Sequence, residues 1–235
     1  MRVRAEQQVP LRAWSLIAPL LLELSLGMAM GIAGTALAAR EGDAQAAAFA
    51  LAQHIVGLLF ILLRIIGAGI SVVVAQRLGA GQRSQADEVA RASLGASGRM
   101  GLVLAVVAAA GAPAWVQLMN APPEVATDAR LLLQALAPVM VLEALVAAQT
   151  SVLRAHLKAN ATLRLNLFMN GLHLALALVL MPSMGLLGYA AALLCSRICG
   201  VALGWRLWRD DLKLLCRWHD LWRWNVPAMK GVLQV

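Results

Sequence analysis

This sequence has little charge. Only 14% of its 235 residues are Asp, Glu, Lys or Arg, where a soluble domain carries about a quarter. A globular fold in water is excluded on that ground. Aromatic residues are also few, 5% with a single Tyr, so the apolar mass is Ala, Leu, Val and Gly. Cysteine is scarce as well. Cys195, Cys199 and Cys216 have no paired metal spacing, and the first two share one face of an apolar helix, so they read as small apolar fillers. The chain lacks HExxH, GxSxG and GxxxxGK[ST] patterns, leaving no support for an enzyme and implying no cofactor.

What remains is hydrophobic. Apolar residues make up 61% of the chain and the mean hydropathy is +0.74. Long unbroken runs, rather than the alternation of barrel strands, predict an all-α polytopic membrane protein. The runs place spans near 14–39, 46–76, 92–118, 129–153, 163–182 and 186–208. Short connectors centre on Arg40–Gln45, Arg77–Glu88, Asn120–Thr127, Arg154–Thr162 and Pro182–Gly185. Residues 1–210 thus form one six-helix transmembrane lobe. The remainder, 211–235, reads as a cytoplasmic amphipathic segment leading toward a further span, because Val226–Val235 turns apolar again. The start resembles a secretory signal, but its apolar stretch is too long and contains Glu23, which makes it an uncleaved first span.

The net charge of +8 has a topological explanation and implies no nucleic acid. Arg2, Arg4, Arg12, Arg77, Arg83, Arg91, Arg154, Lys158, Arg164 and the cations from Arg206 to Lys230 fall on one side of the six spans. Only Arg40 and Arg130 fall on the other. Cations stay cytoplasmic, so a multi-pass protein of the cell inner membrane with both termini inside is expected. Five of seven tryptophans lie between Trp205 and Trp224, interleaved with charge, as in a helix resting in the headgroup layer; Trp218, Trp222 and Leu214 share its apolar face.

Charges inside hydrocarbon are costly and mark function by default. Glu23 lies one turn beyond Pro19 in the first span, Arg64 inside the second, and Glu143 five residues after Pro138 in the fourth. Both prolines are expected to kink their helices and free backbone groups. A carboxyl in hydrocarbon suits proton carriage, whereas an adjacent Arg would hold it as a structural ion pair, and both readings stay open. Arg197 is expected to reach the interface. Asn166, Asn170 and His173 share a face of the fifth span, suited either to interhelical hydrogen bonds or to a cavity wall; His54 is a further titratable group in an apolar helix.

These residues together resemble the N-terminal lobe of the MATE (multidrug and toxic compound extrusion) transporters. The resemblance runs through Ile17-Ala-Pro-Leu-Leu-Leu-Glu23, Val74-Ala-Gln-Arg-Leu-Gly-Ala-Gly81, Leu153-Arg-Ala155, the pair Asn166 and Asn170, and Gly185-Leu-Leu-Gly-Tyr-Ala-Ala191, in family order over residues 10–210. It implies a secondary antiporter, exporting amphipathic or cationic organic compounds and drugs on an H⁺ or Na⁺ gradient, present here as one of two six-helix lobes. The partners implied are the lipid bilayer, a small organic substrate, and a second lobe supplied by a C-terminal half or by a homodimer. Glu23, Asn170, Asn166, Arg64, Glu143 and His173 are the expected cavity residues. Two positions depart from the family. Gly34 and Leu174 stand where many members carry Asp, leaving Glu23 as the acidic candidate on the first helix. A lipid-linked oligosaccharide flippase of the same superfamily, for which Arg64 and Arg197 would line a cationic cavity, and a non-transporting scaffold are the alternatives.

Overall fold

The computed structural model describes the backbone of residues 3–214 and the side chains of residues 17–214. They form six helices: α1 (Val3–Glu41), α2 (Asp43–Gly79), α3 (Arg83–Leu118), α4 (Pro123–Ala155), α5 (Ala159–Met184) and α6 (Leu186–Asp211). All six are long and apolar enough to cross a membrane. At 1.5 Å per residue the 33 residues of α4 extend about 50 Å, so its ends pass beyond a hydrocarbon core of about 30 Å.

Number and order agree with the sequence reading, but the ends do not. The expected connector Arg77–Glu88 shrinks to Ala80–Gln82, because α3 starts at Arg83 rather than near 92. Its first turns are amphipathic: Ala86, Val89 and Ala90 are buried while Arg83, Gln85 and Glu88 are exposed. Averaged hydropathy hides such a segment. The final helix likewise runs through Trp205 to Asp211. Trp208, expected in the headgroup layer, is fully buried, and its indole N–H donates to the Gln149 carbonyl at 3.1 Å. Trp218, Trp222, Cys216 and the apolar stretch Val226–Val235 lie outside the described residues. So do the side chains of Arg2, Arg4 and Arg12.

Between apolar helices in lipid, close approach rather than water exclusion drives association, and small residues decide the packing here. Helix α4 is the hub, flanked by α2, α3 and α6, while α5 packs on α6 and α1. Gly101 of α3 presses on the α4 backbone: an added Cβ would lie 2.8 Å from the Met140 carbonyl oxygen and the Val141 Cα. Gly67 of α2 similarly faces Ser151, and Gly204 of α6 receives the Gln149 side chain. The α1–α2 and α5–α6 reversals each use one residue, Gly42 at φ 132° and Gly185 at φ 58°, conformations that side chains with a Cβ rarely adopt. Pro19 and Pro138 both lie within continuous helix. Helix α1 is the least covered, exposing Leu21, Leu22, Met28 and Ile32.

The apolar interior divides into two clusters stacked along the bundle. The first, toward the α1–α2 and α5–α6 turns, includes Phe49, Leu63, Leu136, Ala144, Ala177, Tyr189 and Leu193. The second, toward the α2–α3 and α4–α5 turns, includes Ile70, Leu94, Leu145, Leu165, Met169, Val201 and Trp208.

Candidate functional site

The boundary between those clusters is polar. On α4 the first cluster ends at Ala144 and the second starts at Leu145, beside Glu143. On α5, His173 falls midway between Met169 and Ala177; on α6, Arg197 falls midway between Leu193 and Val201. Three helices therefore bring their ionisable groups to one level. Arg197 Nε donates to Glu143 Oε2 at 2.6 Å, with side chains 11% and 21% exposed. Arg197 Nη1 and His173 Nε2 are buried with no hydrogen-bond partner.

Next to this pair stands a ring cluster. The Tyr189 ring packs edge-on against His173 at 4.7 Å and against Phe49 at 4.8 Å, and Gln53 Nε2 donates to its hydroxyl at 3.2 Å. Phe49 and Gln53 are one turn apart on α2, so one face of that helix supplies both. Arg197 is near enough for its charge to act on both His173 and Tyr189. Gly34 of α1 closes the cluster. A Cβ there would meet Phe49 Cζ at 2.9 Å and Tyr189 Cε2 at 3.3 Å, so the space a longer side chain would need is filled by rings.

The remaining sequence candidates are distributed differently. Glu23 Oε2 accepts from Arg154 Nη2 at 2.7 Å, one residue from the end of α4, while Glu23 Oε1 is buried without a partner. Asn170 donates its amide to the carbonyl of Asn166 at 2.9 Å, within its own helix. Arg64 is exposed on α2 among Leu62 and Ile65, and His54 is also exposed, its Nδ1 placed 2.9 Å from the Ala50 carbonyl. Arg197, expected at the interface, turns inward because Glu143 offers it a counter-charge at the same depth. Tyr189, Gln53 and Gln149 were not among the expected site residues. The lone tyrosine, one turn after Gly185, was the available signal for the first. Gln149 is fully buried, donating to the Val201 carbonyl at 3.2 Å, and a glutamine within the small-residue run Ala147–Ser151 marks such a close crossing. Cys195 and Cys199 are free and exposed. Among the described residues no three His, Cys, Asp or Glu side chains gather as a metal site would require.

The chain matches the MatE family model over residues 19–179. It belongs to the MatE family. The uncharacterized transporter YisQ of Bacillus subtilis (strain 168) is 27% identical over 194 residues, covering 80% of this chain and 43% of that protein. A MOP superfamily transporter from Pyrococcus furiosus Vc1 (DSM3638), described by a reversed polarity of its binding pocket, superposes with a TM-score of 0.82 at 22% identity, covering 94% of this chain and 49% of that one. An outward-facing multidrug resistance MATE family transporter gives the same TM-score, identity and coverage. The chain thus has the fold of a six-helix MatE lobe and spans about half the length of the relatives it matches.

Proposed function

We propose that this chain is one lobe of a secondary transporter that exports amphipathic, cationic organic compounds in exchange for H⁺ or Na⁺. A second six-helix lobe, whether a C-terminal half or a second copy, faces it across the substrate cavity. The lobe is multi-pass in the cell inner membrane with both termini cytoplasmic, and the segment 211–235 leads toward the second lobe. The observation that carries this reading is a salt-bridged pair, Glu143 with Arg197, held midway through a bundle of the MatE fold. Burying two charges there costs several kcal/mol of desolvation, and charged residues at that depth mark a functional level of a membrane bundle by default.

In this reading the polar level of Glu143, Arg197 and His173 meets the cavity, with Asn170 and Asn166 one and two turns along α5. Glu23 ties α1 to α4 through Arg154 near the end of the span. The test is efflux of a fluorescent organic cation from lipid vesicles holding this chain together with its second lobe. An inward H⁺ or Na⁺ gradient should accelerate efflux relative to vesicles without a gradient. Equal rates under every gradient would overturn the proposal.

A further inference from the structure

We infer that Arg64 is a charged contact between this lobe and the second one: the α2 face around it is covered by a lobe of different sequence that presents a carboxylate at the same depth. The inference rests on the two-lobe reading above and decides between the partners which that reading leaves open.

Depth makes Arg64 an anomaly. It is the only Asp, Glu, Lys or Arg between Asp43 and Arg77. It lies 21 residues from Asp43 and 15 from Gly79, about 31 and 22 Å along the axis. Gly67, one turn on, faces Ala147 and Ser151 of α4, which puts Arg64 close to the level of Glu143. Arginines near helix ends reach the headgroups by extending; at this depth that escape is closed. Yet Arg64 is exposed, and among the described residues no ion pair or hydrogen bond holds it. Its neighbours on the exposed face are Leu58, Ile61, Leu62 and Ile65. A guanidinium turned to lipid there is costly, and charges at such depth face protein or water instead. The outer surface elsewhere at this level obeys that rule, since Leu102 and Val103 of α3, Gly171 and Ala175 of α5, and Ile198 of α6 are exposed and uncharged.

The same stripe of α2 suits a facing helix. Gly57 lies two turns before Arg64 and Ala68 one turn after it, and a Cβ at Gly57 would meet nothing within 4 Å. Helices in lipid associate by close approach at small residues of this kind. The chain spans about half the length of the relatives it matches, so a second lobe is the occupant at hand.

Charge then fixes the kind of lobe. Glu23 and Glu143 lie deep in the described helices, and both are taken, by Arg154 at 2.7 Å and by Arg197 at 2.6 Å. Every other acid between residues 17 and 214 lies within two turns of a helix end. A second copy, related by a two-fold axis along the membrane normal, keeps each residue at its counterpart's depth. Joined through this face, it would set Arg64 against Arg64 with no free acid between them, and like charges repel strongly in a low dielectric. A lobe of different sequence with one Asp or Glu at that level leaves an ion pair instead.

The test is a zero-length crosslink. Arg64→Lys keeps the charge and supplies a primary amine, which a lipid-soluble carbodiimide joins as an amide to a carboxylate in salt-bridge contact, the carbodiimide leaving as its urea. On this chain assembled with its second lobe in lipid vesicles, mass spectrometry should find residue 64 joined to an Asp or Glu of the second lobe. Arg64→Met should give no such peptide. Arg64→Glu should lower the amount of second lobe that co-purifies by about tenfold or more, while size-exclusion chromatography shows this lobe alone unchanged. The chain alone, carrying Ile65→Cys with its three native cysteines replaced by serine, should form no disulfide-linked pair under oxidant. Residue 64 left uncoupled while both lobes are assembled overturns the inference, and is the outcome for a guanidinium hydrated in an open cavity. Coupling to an acid of this lobe overturns it too, as does a disulfide-linked pair of this chain. If no second lobe assembles with the chain, the two-lobe reading falls and the contact with it. Coupling without gradient-driven efflux refutes export alone and leaves the contact standing.

Discussion

Introducing an aspartate at position 34 should damage this protein. Gly34 is buried, and a Cβ alone would sit 2.9 Å from Phe49 Cζ and 3.3 Å from Tyr189 Cε2. Overpacking of that kind costs about 1–3 kcal/mol. For Gly34→Ala a gain of about 1 kcal/mol in helix propensity offsets part of the clash, so a net loss of up to about 2 kcal/mol is expected. Gly34→Asp has little propensity gain and also places a carboxylate against two ring edges. Leaving such a charge without a partner adds about 3–5 kcal/mol. Thermal unfolding of the purified protein in detergent, followed by tryptophan fluorescence, should therefore rank wild type above Gly34→Ala and both well above Gly34→Asp. Because the obstruction is Phe49, the double variant Gly34→Asp with Phe49→Ala should be more stable than the sum of the single losses allows. Additive losses, or a Gly34→Asp protein that melts with wild type, would refute the claim that the Phe49 and Tyr189 rings fill the space beside Gly34.

The two acid–base pairs provide a contrast. Glu143→Gln leaves a guanidinium that is only 11% exposed without its partner and should cost about 3–5 kcal/mol, whereas Glu23→Gln removes a 10% exposed carboxylate from an Arg154 that is 39% exposed and can be hydrated, and should cost less, about 1–3 kcal/mol; denaturation of both variants in parallel checks the order. On α3, Gly98→Ala meets only Leu145 Cδ2 at 3.5 Å and should stabilise by up to about 1 kcal/mol. Gly101→Ala, one turn on, meets α4 backbone and should destabilise by about 1–3 kcal/mol, which the same melting assay reads. Tyr189→Phe removes the acceptor of the Gln53 amide and should cost about 1 kcal/mol; a melting temperature equal to wild type would show that bond to be dispensable.

Span number and order were legible because hydrocarbon thickness sets a length that unbroken apolar runs must meet. Depth was legible for the same reason, so Glu143 and Arg197 could both be placed inside the membrane. Azimuth was not. Which way a side chain points depends on which helices become neighbours, and Glu143 and Arg197 are 54 residues apart. Their pairing follows from the close crossing of α4 and α6, which depends on Gly204 accepting Gln149 and on the Trp208 bond to the Gln149 carbonyl. None of these is a hydropathy signal. Arg197 was therefore expected to reach outward and Trp208 to rest among headgroups. The amphipathic start of α3 failed for a different reason: its buried residues are small alanines and a valine, too slight to outweigh Arg83, Gln85 and Glu88 in a sliding average.

Both acid–base pairs end on α4, and they are not equivalent. Arg154 lies at the last turn of that helix and draws Glu23 of α1 toward it, although α1 otherwise packs on α2 and α5. Glu143 lies about 16 Å away along the helix by its rise and draws Arg197 of α6. The hub is thus anchored by charge to α1 near its end and to α6 near its middle, while α3 is anchored to it by backbone contact at Gly101. A charge anchor is lost with either partner's charge; a steric one is not. Loss of the Glu143 charge, as in Glu143→Gln, therefore loosens α6 from α4 while α3 and α4 stay locked at Gly101, a contact that involves no charge.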